Sequence, residues 1–322
     1  MRRAPARGRR AFCRGAAKGL TATAHTRTDA PGQGRPALHV FFAVPAEEEM
    51  AFDAMIVDHQ AFMVKTHSMG TGGAAPRVLE YSWSKGAALN NPMDPKEGTT
   101  GEIWYTLCEI YPEASDIVAH FEVAGEQWPG LATLQDFIGK YAKHVDRDSA
   151  VLTCMSDGDL AVCSTKVGNP SINVAYVVPS GIAAGEEWPE ETPEKVQEMD
   201  TFFEEHEKFM RNTHTFAPSA DDATQPRLTQ FTISKIKQQE DPLDPEKGFT
   251  GNVVYIMNEA YVAPSGIAGH MALGGSEEHG FAENFAKMMA MNEQNATFLQ
   301  AGACVVVATM YSLGFEGPML KR

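Results

Sequence analysis

The 322-residue sequence is poor in the features that mark most catalytic frameworks. Its five cysteines, Cys13, Cys108, Cys154, Cys163 and Cys304, include no CxxC pair. They therefore read as free thiols of a reducing compartment, not as a disulfide or zinc framework. No Gly-rich phosphate loop, dinucleotide fingerprint or nucleophile elbow is present, which removes the nucleotide-binding and serine-hydrolase classes. No apolar run approaches the roughly 18 residues of a membrane span, and the longest, near 38–44 and 303–308, have strand length, so no membrane insertion is expected. Basic residues are also scarce, 27 against 42 acidic, for a net charge of −15. Such a surface repels phosphate backbones and anionic lipid, so nucleic acid is not an expected partner.

The basic residues that do occur are unevenly placed. Residues 1–36 hold eight Arg, one Lys and the single acid Asp29. An Arg-rich, acid-poor, small-residue-rich segment has the composition of an organelle transit peptide, for plastid or mitochondrion. A retained basic tail on a cytoplasmic protein is the alternative. The remaining chain carries 18 basic and 41 acidic residues.

What that chain does have is a repeat. His59, Phe62, Met63, Thr66 and His67 return as His206, Phe209, Met210, Thr213 and His214. From Pro76 to His120 the match runs at a constant offset of 150 residues. It pairs Arg77 with Arg227, Lys85 with Lys235, Tyr105 with Tyr255, Glu109 with Glu259, Tyr111 with Tyr261 and His120 with His270. The repeat divides the chain into domains at 37–168 and 169–314, with a tail at 315–322.

Each copy reads β-α-β-β-α-β, with an extra short helix before the last strand. In the first copy a helix is predicted at 47–67, with Phe52, Met55, Ile56, His59, Phe62, Met63 and Thr66 on one stripe. In the second, Thr192 as N-cap and Pro193 at the first helical position start the corresponding helix. Strands follow at 77–85 and 102–111, then at 227–235 and 252–261. Alternation puts Ile103, Tyr105, Leu107, Glu109 and Tyr111 on one face. Helices near 113–124, 131–143, 263–273 and 281–291 precede last strands near 160–164 and 303–310. This order is the ferredoxin-like layout of an α+β domain. Two such sheets can cover each other's open faces within one chain.

The segment Glu109-x-Tyr111-Pro-Glu113-Ala114-x4-Ala119-His120 resembles the hallmark of the antibiotic biosynthesis monooxygenase domain family. The second copy keeps Glu259, Tyr261 and His270 but has Gly269 in place of the Ala. The resemblance spans about residues 38–165 and 172–312. It implies a dimeric α/β barrel, closed here by the two copies of a single chain, so that a monomer suffices. It also implies a monooxygenase-like enzyme without cofactor, acting on a small aromatic or quinol-type molecule. A non-redox isomerase or cyclase on the same barrel, or a non-catalytic ligand-binding or stress-response protein, are the alternatives the superfamily offers. The Asn–Trp–His set of haem-degrading members is not recognisable.

Candidate catalytic residues are those kept in both copies. His59 and His206 lie mid-helix on the apolar stripe, where a neutral imidazole can accept a proton. Glu109 and Glu259, with His120 and His270, form the candidate orienting pairs. Tyr105, Tyr111, Tyr255, Tyr261, Arg77, Arg227 and the unrepeated Trp83 are candidate substrate-binding groups. Each has a structural reading beside the functional one: a core histidine, a paired corner carboxylate, a core tyrosine. His67 and His214 fall in the last helical turn, where a cation complements the helix dipole. No metal site is expected from the helix histidines, because His59 and His67 are two turns apart.

Overall fold

A computed structural model describes residues 34–155, 165–216 and 225–310, apart from 93, 188, 190 and 242–243. The segment 1–33, the strand expected near 160–164 and the tail from 311 onwards lie outside the described residues.

The first half runs β1 (Pro36–Pro45), α1 (Glu49–Thr66), β2 (Glu80–Leu89), β3 (Thr99–Ile110), α2 (Ala114–Gln127), α3 (Leu131–Tyr141) and β4 (Ala142–Met155). The second repeats it as β5 (Pro170–Pro179), α4 (Glu194–Thr213), β6 (Leu228–Gln239), β7 (Phe249–Tyr261), α5 (Pro264–Gly274), α6 (Ala282–Asn295) and β8 (Ala296–Thr309). The strand closing the first half is thus β4, directly after α3. Pro193 is itself the N-cap of α4, with no side-chain cap bond.

These eight strands form one closed antiparallel barrel, in the order β1-β3-β2-β8-β5-β7-β6-β4, and two short stretches, Ser68–Met69 and Arg77–Val78, pair in parallel outside it. Within each half the strand order is fourth, first, third, second. The halves join at two seams, β2 against β8 and β4 against β6. A closed barrel leaves no strand edge open, and one chain supplies the whole of it.

Period-two alternation gives each strand a helix-facing side and a barrel-facing side. Leu38, Val40, Phe42 and Val44 of β1 pack with Phe52, Met55, Ile56 and Met63 of α1 and with α3. The second half builds the equivalent core from Val174, Tyr176 and Val178 against Val196, Met199, Phe203 and Met210. Inside the barrel, Phe41 meets Ala175, Val254, Ile256 and Phe298 of the other half. A second apolar cluster joins Ala37, Leu79, Cys108, Ile110, Val151 and Cys154, and polar side chains fill much of the remaining lumen. His39 sits 3.2 Å from Asp146, and the hydroxyls of Ser84 and Ser171 are 3.2 Å apart across a seam.

Candidate functional site

The repeated residues converge between the helices and the sheet of each half, on the side away from the lumen. α1 carries His59 inward with its apolar stripe. β3 presents Glu109 on the same face as Tyr105 and Leu107, and α2 brings His120 over its end. All three are buried, with Glu109 wholly enclosed. His59 Nε2 stands 3.8 Å from Glu109 Oε1. One donor atom each from His59, Glu109 and His120 lies within 4.8 Å of the other two, and the same is true of His206, Glu259 and His270.

A relay behind this group fixes the state of His120. The Thr66 hydroxyl donates its single proton to the Phe62 carbonyl, 2.7 Å away. Its oxygen therefore accepts from His67 Nδ1 at 2.9 Å. His67 Nε2 is then the acceptor for His120 Nδ1, 3.0 Å away. His120 Nε2 is left as a bare lone pair aimed at the cluster. His67 does terminate α1, but as a neutral imidazole. Burial lowers its pKa to about 4, so the expected cation at the helix end is absent.

The neighbours of His59 differ from those of its twin. Trp83 Nε1 points between Tyr81 Oη, 3.1 Å away, and His59 Nδ1, 3.3 Å away. Trp128 stacks on His59 and Phe62 and donates to Asp58 Oδ2 at 2.7 Å. In the second half Phe231 and Ile233 replace Tyr81 and Trp83, while Phe281 stacks on His206 and Phe209.

Burial dominates the electrostatics. It lowers the pKa of His59 to about 3, helped by the charge of His67, and lowers that of His120 well below the usual range. It raises Glu109 to about 7, against the opposing hydrogen bond from the Tyr111 hydroxyl to Oε2. Glu109 Oε1 and His59 Nε2 make no hydrogen bond.

Their residues line a small pocket, with about 30 Å³ of room for a water-sized group, that opens towards solvent. Its walls are Leu38, Val40, Leu107, Trp128, Leu131 and Leu134, with Arg147 of β4 bringing a cation. The remaining candidates stand apart from it. Tyr105 and Tyr255 donate to Asp53 and Asp200, each 2.8 Å away, beside the half-buried pairs Lys85–Asp53 and Lys235–Asp200. Arg77 is clamped on Asp116 by three bonds of 2.8–3.0 Å. Arg227 does not line the pocket. Trp83 acts on the site through His59. Arg147, Trp128 and Tyr81 were not singled out in the sequence. Arg147 shares its strand face with Val145, and that alternation was its only signal.

No family model matches the chain, and no curated protein does. The resemblance to the antibiotic biosynthesis monooxygenase domain thus stands on the residues quoted above. Among solved structures, the chain is similar to a protein of Lactobacillus acidophilus NCFM provisionally named a monooxygenase. The identity is 9 %, over 88 % of this chain and 97 % of that one, with a TM-score of 0.38.

Proposed function

We propose that the first half is the catalytic half of a monooxygenase-like enzyme for a small hydroxylated aromatic or quinol-type molecule. The observation that carries this reading is the Glu109 carboxyl. It is fully enclosed, has an oxygen without a hydrogen-bond partner, has its pKa pushed up to about 7 by burial and lines a largely apolar pocket. A general base works best with a pKa near the working pH. Glu109 fits that condition better than His59, whose imidazolium is too acidic to hold a phenol's proton. His59 instead orients the substrate hydroxyl, and Arg147 steadies the anion. The anion then reduces oxygen itself. The ring C–H ortho or para to the phenolate, a CH2 in the keto tautomer, becomes C=O, one oxygen atom of O2 staying on carbon and the other leaving as water. In this reading the two halves are ferredoxin-like domains of a dimeric α/β barrel joined in one chain.

Oxygen uptake and product mass, measured on the full chain with a panel of hydroquinones and polycyclic phenols, test this. One or more members should be turned over, and Glu109→Gln should lower kcat/KM by about 10²–10⁴-fold. No turnover across the panel, or an unaffected Glu109→Gln variant, would sink it. Product formed equally under argon would transfer the same residues to an isomerase or cyclase. We also propose that residues 1–36 direct import into an organelle, which a fluorescent fusion of that segment would report.

A further inference from the structure

The second half repeats the histidine–glutamate–histidine group but lacks the two donors that contact the helix histidine in the first. His206 Nε2 is 3.8 Å from Glu259 Oε1. His206, Glu259 and His270 are each exposed by 1 % or less. The Tyr261 hydroxyl donates to Glu259 Oε2 at 2.5 Å, while Oε1 makes no hydrogen bond. Neither ring nitrogen of His206 makes one either. The relay is also repeated. Thr213 donates to the Phe209 carbonyl at 2.7 Å and accepts from His214 Nδ1 at 2.8 Å. His214 Nε2 accepts from His270 Nδ1 at 3.1 Å, which leaves His270 Nε2 bare.

The two halves differ in the proton on the helix histidine. The Trp83 N–H, which can only donate, is shared between Tyr81 Oη at 3.1 Å and His59 Nδ1 at 3.3 Å, and the Tyr81 hydroxyl is 3.3 Å from the same nitrogen, so two donors favour His59 Nδ1 as an acceptor. The ring proton of His59 is thereby kept on Nε2, facing Glu109. Ile233 and Phe231 offer no such donor to His206. With neither nitrogen held by a partner, His206 is free to carry its proton on Nδ1 and turn a lone pair from Nε2 towards Glu259 Oε1 and His270 Nε2. Three bare ligand atoms, on side chains exposed by 1 % or less, then converge. Converging lone pairs without a partner are costly, and a cation satisfies all three at once.

We propose that His206, Glu259 and His270 bind one divalent transition-metal ion of the zinc or iron(II) class. Two imidazole nitrogens and one carboxylate oxygen are a set that both ions accept, whereas calcium and magnesium require oxygen-rich sites. At metal–ligand distances of about 2.0–2.1 Å, tetrahedral ligand atoms stand roughly 3.4 Å apart. The three atoms lie within 4.8 Å of one another, with 3.8 Å between His206 and Glu259, so side-chain rotation must draw them together by up to about 1.4 Å. His214 behind His270 and Tyr261 behind Glu259 supply the outer hydrogen bonds that orient metal ligands. The ion would tie α4, β7 and α5 together. This site is independent of the enzymatic reading, which concerns the other half.

The full-length protein, stripped with a chelator, is titrated with Zn2+ by calorimetry and with Co2+ by visible absorption. One equivalent is expected, with the d–d bands of a low-coordinate Co2+ site and a raised Tm. Glu259→Gln and His270→Gln should abolish it, and Glu109→Gln should leave it intact. Trp83→Phe should open a second equivalent in the first half. No binding, binding that survives both second-half variants, or loss with Glu109→Gln would overturn the proposal. If the second-half variants do not fold, Phe231→Tyr with Ile233→Trp rebuilds the first-half donors. At least tenfold weaker binding supports the site, and unchanged affinity overturns it.

Discussion

Single residues here act through their protons. Glu109 has its pKa raised by burial to about 7, from an ordinary value of 4.5. Its contribution to stability is complete below pH 4.5 and is lost as pH rises through 7, because the folded state must then hold a buried carboxylate. Glu109→Gln removes that loss. Urea unfolding from pH 4.5 to 8 should show the variant gaining about 3 kcal/mol on the wild type across that window. A second case is Thr213, whose hydroxyl serves Phe209 and His214 together. Thr213→Val keeps the shape and strands a buried imidazole N–H. A loss of about 1–3 kcal/mol is expected in the same assay.

Elements are held to the site by close packing, and the turn between α2 and α3 shows it. A methyl group at Gly130 would strike the Asp58 carboxylate and stand 2.6 Å from Trp128 Nε1. Gly130→Ala should therefore break the Asp58–Trp128 bond and tilt the indole off His59. A loss of about 1–3 kcal/mol is expected by thermal or urea unfolding, with reduced turnover of any substrate identified. This scale also shows what was legible in the sequence. The stripe of α1, from Phe52 to Met63, could be read because one face of that helix packs on apolar strand residues. The strand β4 could not. Its lumen side carries His144 and Asp146, the latter 3.2 Å from His39 on the neighbouring β1, so it lacks the apolar run by which a strand is recognised. Glu109, His59 and His120 were visible through repetition. Trp128 and Arg147 belong to one half only, so repetition could not reveal them.

The whole molecule depends on its seams and on its neutral histidines. Each half alone would expose β2 and β4, or β6 and β8, as open edges. Separately produced halves should self-associate or precipitate, and co-production should restore a one-to-one complex on size-exclusion chromatography. Burial lowers His59 to about 3, His67 and His144 to about 4 and His214 to about 2. Groups lowered in the folded state contribute stability that is complete above pH 6.5 and is lost as pH falls. Each costs about 2 kcal/mol by pH 5, and the opposing gain from Glu109 offsets roughly one of them. The urea midpoint should accordingly be lower at pH 5 than at pH 7.5.

The two seams have a further consequence. In a barrel assembled from separate chains, closure is a binding equilibrium that dilution can reverse. Here the partner sheet is covalently tethered, so its effective concentration is fixed by the linker between β4 and β5. The melting temperature should not change between nanomolar and micromolar protein. A one-copy gene can also carry two unlike interiors, with Trp83 in one and Ile233 in the other, without ever forming the mismatched pairings that two separate subunits would produce.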